Sequence, residues 1–160
     1  MNEVFARAAE IGARLKARGE TVGVAESSAG GLVSTGLLAM PGASAYFVGG
    51  AVVYTAQARG ALLGITAAEM AGLRSSSEPY ALLLARTVRA RFGTDWGIAE
   101  TGAAGPAGNR YGDAAGHSCL AISGPVERVV TLETGSTDRE ANMRAFTLAL
   151  LDLFGHALDG

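Results

Sequence analysis

Two serines, Ser27 and Ser28, lie in the run Val24-Ala25-Glu26-Ser27-Ser28-Ala29-Gly30-Gly31, between a β-prone stretch and a helical one. A strand–turn–helix setting places a serine hydroxyl beside the N–H groups that a helix start leaves without partners. Amides from Ala29 to Gly31 could then hold an oxyanion, a carboxylate or a phosphate while the hydroxyl attacks a carbonyl. The hydrolase pattern Gly-x-Ser-x-Gly is absent, and either serine could equally cap the helix that opens at Leu32. A second group is Tyr54-Thr55-Ala56-Gln57-Ala58-Arg59. A cation returning to the phenol would favour its ionised form, whereas the plainer role is an aromatic capping the core with its hydroxyl in water. A third group, Thr101-Gly102-Ala103-Ala104-Gly105-Pro106, carries side chains small enough to let a ligand approach the backbone. It lacks the Gly-Lys-Ser/Thr of a P-loop and the setting of a dinucleotide fingerprint, so a tight connection is the alternative. Glu26, Glu78 and Glu100 stand at element junctions, where a carboxylate can cap a helix, pair with Arg59 or meet a substrate. Cys119 and His117, two residues apart on one strand face, read as core rather than as a nucleophile and its base.

The elements that must position these groups follow from apolar spacing. Val4, Phe5, Ala8, Ile11 and Leu15 recur at helical intervals, so residues 2–18 form an amphipathic helix ending at Gly19. Thr21 to Ala25 is a strand, and Leu32 to Met40 a helix stopped by Pro41-Gly42. The continuous run Ala51-Val52-Val53 marks Gly50 to Thr55 as a strand covered on both faces. Helix is expected for Ala56 to Leu63, and a short one after the capping box Thr66-Ala67-Ala68-Glu69. Another helix spans residues 79–91, capped by a serine of Ser75-Ser76-Ser77. Trp96 to Glu100 is a strand entering a glycine-rich loop from Thr101 to Gly112. His117 to Ile122 and Val126 to Thr131 form a hairpin, and a second capping box at Thr137 to Glu140 begins the last helix. Helices alternating with buried strands predict a three-layer α/β/α sandwich with a mixed central sheet, one domain over residues 1–160.

Composition narrows the function classes. With 49% hydrophobic and 18% charged residues, the 160-residue chain has ample core and little material for a disordered tail. Surface scaling gives a folded accessible area of roughly 7,500 Å². Lys16 is the single lysine among 13 cations, set against 15 acidic residues. No basic run follows a nucleic-acid backbone, so no nucleic-acid partner is expected, while an arginine with a few amides can still hold a small anion. One cysteine and two histidines give poor support for a disulfide or a metal site, and no metal or cofactor is expected. The N-terminus lacks a basic-then-apolar leader and no apolar run reaches membrane length, so a cytoplasmic protein with no membrane partner is expected. The 23 glycines exceed the roughly 11 of average composition and gather just past strands, where open α/β sheets bind ligands.

Taken in order, these groups resemble the C-terminal domain family of the competence/damage-inducible protein CinA in its stand-alone form, which includes nicotinamide-nucleotide amidases. The resemblance runs from about Phe5 to Leu153. It rests on the serine turn, Pro41-Gly42-Ala43-Ser44-Ala45-Tyr46-Phe47, Val53-Tyr54-Thr55, Leu63-Gly64-Ile65, Ser77-Glu78-Pro79, the Thr101 to Pro106 run and the late helix after Asp138-Arg139. It implies deamidation of nicotinamide mononucleotide to nicotinic acid mononucleotide and ammonia, with Ser27 as nucleophile and Tyr54 as its partner. It further implies a substrate pocket drawn from Glu26, Ser28, Ala29, Gly30, Gly31, Glu78, Thr101, Gly102, Ala103 and Gly105, a phosphorylated pyridine nucleotide as ligand, and a homo-oligomer.

Three departures stand out: Ala29 replaces a threonine, Ala56 replaces an asparagine, and Arg59 occupies the place of a lysine base. The loop after Pro106 carries Asn109-Arg110-Tyr111 instead of an acidic, polar lead. Arginine stays protonated and has no lone pair for the serine proton. One expectation is therefore that Tyr54, beside Arg59, is the base, although bringing a tyrosine pKa from about 10 to 7 takes roughly 4 kcal/mol. The other is a family member that binds a nucleotide or related ligand and hydrolyses it weakly or not at all. Turn glycines with no ligand role form a third, purely structural, reading.

Overall fold

The computed structural model describes residues 1–160. Its chain order is α1 (Asn2–Arg18), β1 (Val22–Glu26), α2 (Leu32–Leu38), a 3-10 turn (Ala43–Ala45), β2 (Phe47–Val52), α3 (Ala56–Leu63), α4 (Glu78–Phe92), β3 (Trp96–Ala103), β4 (His117–Ser123), β5 (Arg128–Glu133) and α5 (Arg139–Leu158). The sheet order is β2-β1-β3-β4-β5, parallel from β2 to β3 and antiparallel from there to β5. The fold is the expected α/β/α sandwich with a mixed sheet. Its accessible area is 7034 Å², close to the size scaling. No helix is long and apolar enough to cross a membrane.

Side-chain size is sorted between the two sheet faces. Val24, Ile98, Leu120 and Ile122 pack with Ile11 of α1, Leu37 of α2 and Leu150 of α5. Ala25, Ala99, Cys119 and Ala121 form the opposite face, beneath Tyr80, Leu84 and Val88 of α4 and Leu63 of α3. Small residues let α4 lie close to the sheet. At Gly97 any Cβ would collide with the Ala85 carbonyl of α4, so only glycine fits.

Several boundaries differ from the sequence reading. The second strand lies three residues earlier than expected and at the sheet edge, with Val48 and Val52 exposed rather than covered on both faces. Its last ladder bond runs from Val53 N–H to the Glu26 carbonyl, after which Thr55 caps α3 by accepting from Ala58 N–H at 3.0 Å. The Thr66–Glu69 capping bonds form, yet only turns follow, because Gly72 adopts φ 77 where a helix would continue. Thr101, Gly102 and Ala103 belong to β3, paired with Cys119, Ser118 and His117, rather than to a loop. The cap of α5 is Asp138, accepting from Ala141 N–H, rather than Thr137. The other hairpin arm begins at Arg128 instead of Val126.

Candidate active site

From β1 the chain crosses to β2 through α2 on one sheet face, and from β2 to β3 through α3 and α4 on the other. The carboxyl ends of β1 and β3 therefore flank a topological switch point, where open α/β sheets leave a crevice. A cleft of about 280 Å³ opens there, lined by Ser27, Tyr54, Arg59, Ser76, Thr101 and Gly102 among others. The structure thus brings together the serine, the tyrosine and the arginine singled out in the sequence.

Two buried glutamates hold the serine turn from beneath. Glu26 and Glu100 are register partners on β1 and β3, and neither is exposed to solvent. Glu100 Oε1 accepts from the Ser27 and Ala29 amides at 3.1 and 2.7 Å, while Oε2 accepts from Ser28 Oγ at 2.5 Å and Ser118 Oγ at 3.2 Å. Burial pushes the Glu100 carboxyl above its ordinary range, against the opposing pull of those donors. Glu26 accepts from the amides of Gly31, Val33 and Ser34 and from Ser34 Oγ, between 2.8 and 3.1 Å. It satisfies the start of α2 in place of an N-cap side chain, since the cap position is Gly31 at φ 100. Neither serine caps that helix.

This arrangement corrects the expected oxyanion site. The Ala29 and Gly31 amides are taken by glutamates, and Gly30 N–H by the Ser27 carbonyl at 3.1 Å. Among the amides of the turn, only that of Ser28 has no acceptor. Glu26, Ser28, Ala29 and Gly31 are thus internal supports rather than cleft lining. Gly30 is exposed but outside the cleft, and Ala103 and Gly105 are buried outside it. Glu78 accepts from Thr131 Oγ1 at 2.6 Å and is also outside it. Ser27 is partly exposed, and its hydroxyl has no partner within the protein.

Arg59 forms no hydrogen bond to Tyr54. Its guanidinium donates to Ser75 Oγ at 3.2 Å and lies 5.3 Å from the Tyr80 ring centroid. The cation on Tyr54 is Arg139, at the start of α5, which donates to the phenol oxygen at 3.3 Å and to the Gly105 carbonyl. Sequence reading missed Arg139 because 85 positions separate it from Tyr54. The only local signal was the Asp138 cap that starts α5 there.

Ser76 forms the far wall in a left-handed conformation, φ 57, the one such residue that is not glycine. Its N–H donates to Thr101 Oγ1 at 3.2 Å, and its carbonyl accepts from His117 Nε2 at 2.7 Å. Because Thr101 Oγ1 accepts that bond, its own proton is left for the cleft. Sequence reading offered Ser75 and Ser76 only as helix caps and gave Tyr80 no role; the two serines reach the cleft from the chain between α3 and α4, and Tyr80 from the first turn of α4.

The fold and this crevice define a class: α/β sandwiches with a mixed sheet and a crevice at the carboxyl ends of their parallel strands. The model of the CinA C-terminal domain matches residues 5–158, and the chain belongs to that family. A CinA-like protein of Gloeobacter violaceus is 39% identical over 137 residues, covering 84% of this chain and 32% of the relative. One from Anaeromyxobacter sp. (strain K) is 40% identical over 136 residues, 84% of this chain and 33% of the relative. The chain spans about a quarter to a third of the length of the curated relatives it matches. A solved competence/damage-inducible protein from Agrobacterium tumefaciens superposes with TM-score 0.90 at 26% identity, covering 99% of this chain and 96% of that one. A CinA superfamily protein from Klebsiella pneumoniae also gives 0.90, at 24% identity and 98% coverage of both chains.

Proposed function

We propose that the cleft hydrolyses the carboxamide of nicotinamide mononucleotide, releasing ammonia and nicotinic acid mononucleotide. The observation that carries this reading is an unpartnered Ser27 hydroxyl in the same cleft as Tyr54, on a turn whose backbone is fixed by Glu100. Ser27 Oγ attacks the amide carbon while Tyr54, acting as the phenolate, takes the serine proton and becomes the neutral phenol; Arg139 faces the negative oxygen that this transfer consumes. The Thr101 hydroxyl, on the cleft wall, is the donor left to receive the oxyanion. Collapse breaks the C–N bond, the proton returns to the leaving nitrogen, and ammonia departs. Water then adds to the acyl ester, giving the carboxylic acid and regenerating the Ser27 hydroxyl. No metal or cofactor enters this scheme, and a homo-oligomer working in the cytoplasm is part of the same proposal.

Ammonia release from nicotinamide mononucleotide tests the reading. Tyr54→Phe is expected to lower kcat by roughly 10²–10⁴-fold, the range of a lost general acid–base group, and Ser27→Ala to abolish turnover. Wild-type rates in Ser27→Ala would sink the proposal.

A specific observation favours a second reading, a ligand-binding protein with weak or no hydrolysis. Where the resemblance places a lysine base, Arg59 is engaged by Ser75 and Tyr80, stays protonated and has no lone pair to accept the serine proton. Saturable binding without ammonia supports this alternative. Arg59→Lys separates the two: restored base chemistry would raise kcat, whereas a Tyr54-driven reaction would leave it unchanged.

A further inference from the structure

We infer that the cleft continues into a cationic chamber that holds a phosphomonoester, with Arg59 and Arg110 as its clamp; this rests on the cleft being the substrate site. Beyond Tyr54 lies a hollow of about 320 Å³ that shares Arg59, Ser75, Arg110 and Tyr111 with the Ser27 cleft and adds Arg74. No Asp or Glu lines either space. The three arginines are not equivalent. Arg74 is neutralised by Asp113, through bonds of 2.7 and 3.2 Å to its two carboxylate oxygens. Arg59 and Arg110 have no carboxylate partner.

Neutral groups hold these two cations instead. Arg59 donates to Ser75 Oγ and lies over Tyr80, whereas Arg110 donates to Tyr111 Oη at 3.0 Å and lies 5.1 Å from that ring centroid. A guanidinium anchored on a hydroxyl or a ring keeps its charge and most of its N–H fork for a ligand. Ser75 Oγ accepts from Arg59 and also faces the Tyr111 phenol, so it ties the two anchored cations together. Two forks match a tetrahedral dianion better than a single carboxylate. The Arg110 hydrogen bond also holds the Tyr111 phenol below its ordinary range, as expected beside uncompensated positive charge.

Arg59 thereby gains a role that its chemistry permits. A neutral amide head at Ser27 and a phosphate between the arginines would occupy both spaces together. The substrate class is a phosphorylated amide rather than a free one, and the phosphate determines affinity more than it does the chemical step.

Calorimetric titration of the Ser27→Ala protein, which cannot turn over, tests the chamber with ribose 5-phosphate against ribose. Ribose 5-phosphate is expected to bind and ribose not to. Arg59→Gln and Arg110→Gln should each weaken that binding roughly 10–100-fold, as should raising salt from about 0.05 to 0.5 M, though by less. Binding that is absent, or unchanged in both glutamine variants of protein that melts normally, overturns the chamber. A parallel pair, nicotinamide mononucleotide and its unphosphorylated riboside, separates this failure from failure of the amidase reading. Equal affinity and turnover for both sink the chamber and leave the amidase standing. Arginine-dependent binding of ribose 5-phosphate, with the pyridine nucleotide no tighter, supports the chamber and removes the amide head.

Discussion

On the Ser27 side of the cleft the backbone is gripped by carboxylates buried beneath it, whereas on the Arg59 side the side chains are steadied by one another near the surface. Glu26 and Glu100 each accept four hydrogen bonds from the serine turn, the start of α2 and Ser118. Every one of those donors would be costly to leave unpaired in the interior. Arg59, Arg74 and Arg110 instead form bonds to hydroxyls, rings and one half-exposed ion pair, where solvent can replace a lost partner. The serine wall is therefore expected to be rigid and intolerant, and the arginine wall free to vary in sequence and in what it binds.

The largest effect expected is from Glu100→Ala, which strands two amides and two hydroxyls and should cost about 3–5 kcal/mol in urea unfolding. A loss below about 1 kcal/mol would erase the contrast between the walls. The same carboxyl gives the serine wall a pH signature. Burial raises its pKa in the folded state above the ordinary 4.5, so the folded protein binds the proton more tightly than the unfolded chain. Its contribution to stability is complete below that ordinary value and is lost as pH rises through the folded-state pKa. Urea midpoints of Glu100→Gln, measured from mildly acidic to neutral pH, should lack this decline. An identical slope in both proteins would contradict it.

Ser76, on the wall opposite the serine turn, is expected to respond less. A β-branched side chain at φ 57 is strained, so Ser76→Val should cost about 1–2 kcal/mol, while Ser76→Gly should stay within about 1 kcal/mol of wild type. Thermal melts that rank valine above glycine would show the backbone at Ser76 to be relaxed. Smallest of all, Arg110→Gln should shift stability by no more than about 0.5 kcal/mol, because Arg110 is exposed and unpaired with any carboxylate. A larger loss would make the arginine wall structural.

What the sequence revealed of this architecture divides along the same line. Periodic apolar residues located α1, a serine cap located the start of α4, and α3 lies where helix was expected; the strand–turn–helix at Ser27 was visible because each element signals its type locally. The edge position of β2 was not, since Ala51-Val52-Val53 looks the same in a central strand as in an edge strand with one covered face. Glycine at 102 suggested a loop, yet the strand continues there: Gly102 faces Ser118, where a Cβ would meet the neighbouring strand. The glutamates were recognised as junction residues, but their work depends on contacts across as many as 73 positions, beyond any local pattern. Arg139 on Tyr54 and Ser76 on His117 are long-range in the same way. Family resemblance named Ser27, Tyr54 and Arg59 together; it could not tell that Arg59 turns to Ser75 while a cation from α5 takes the phenol.

The central claim is that the Ser27 hydroxyl is a nucleophile, and acid-quenched protein mixed with nicotinamide mononucleotide tests it directly by peptide mass analysis. An acyl ester on the peptide containing Ser27, appearing with ammonia and absent from Ser27→Ala, is the predicted result. Ammonia formed with no adduct on that peptide, and at the same rate in the alanine variant, would contradict the account.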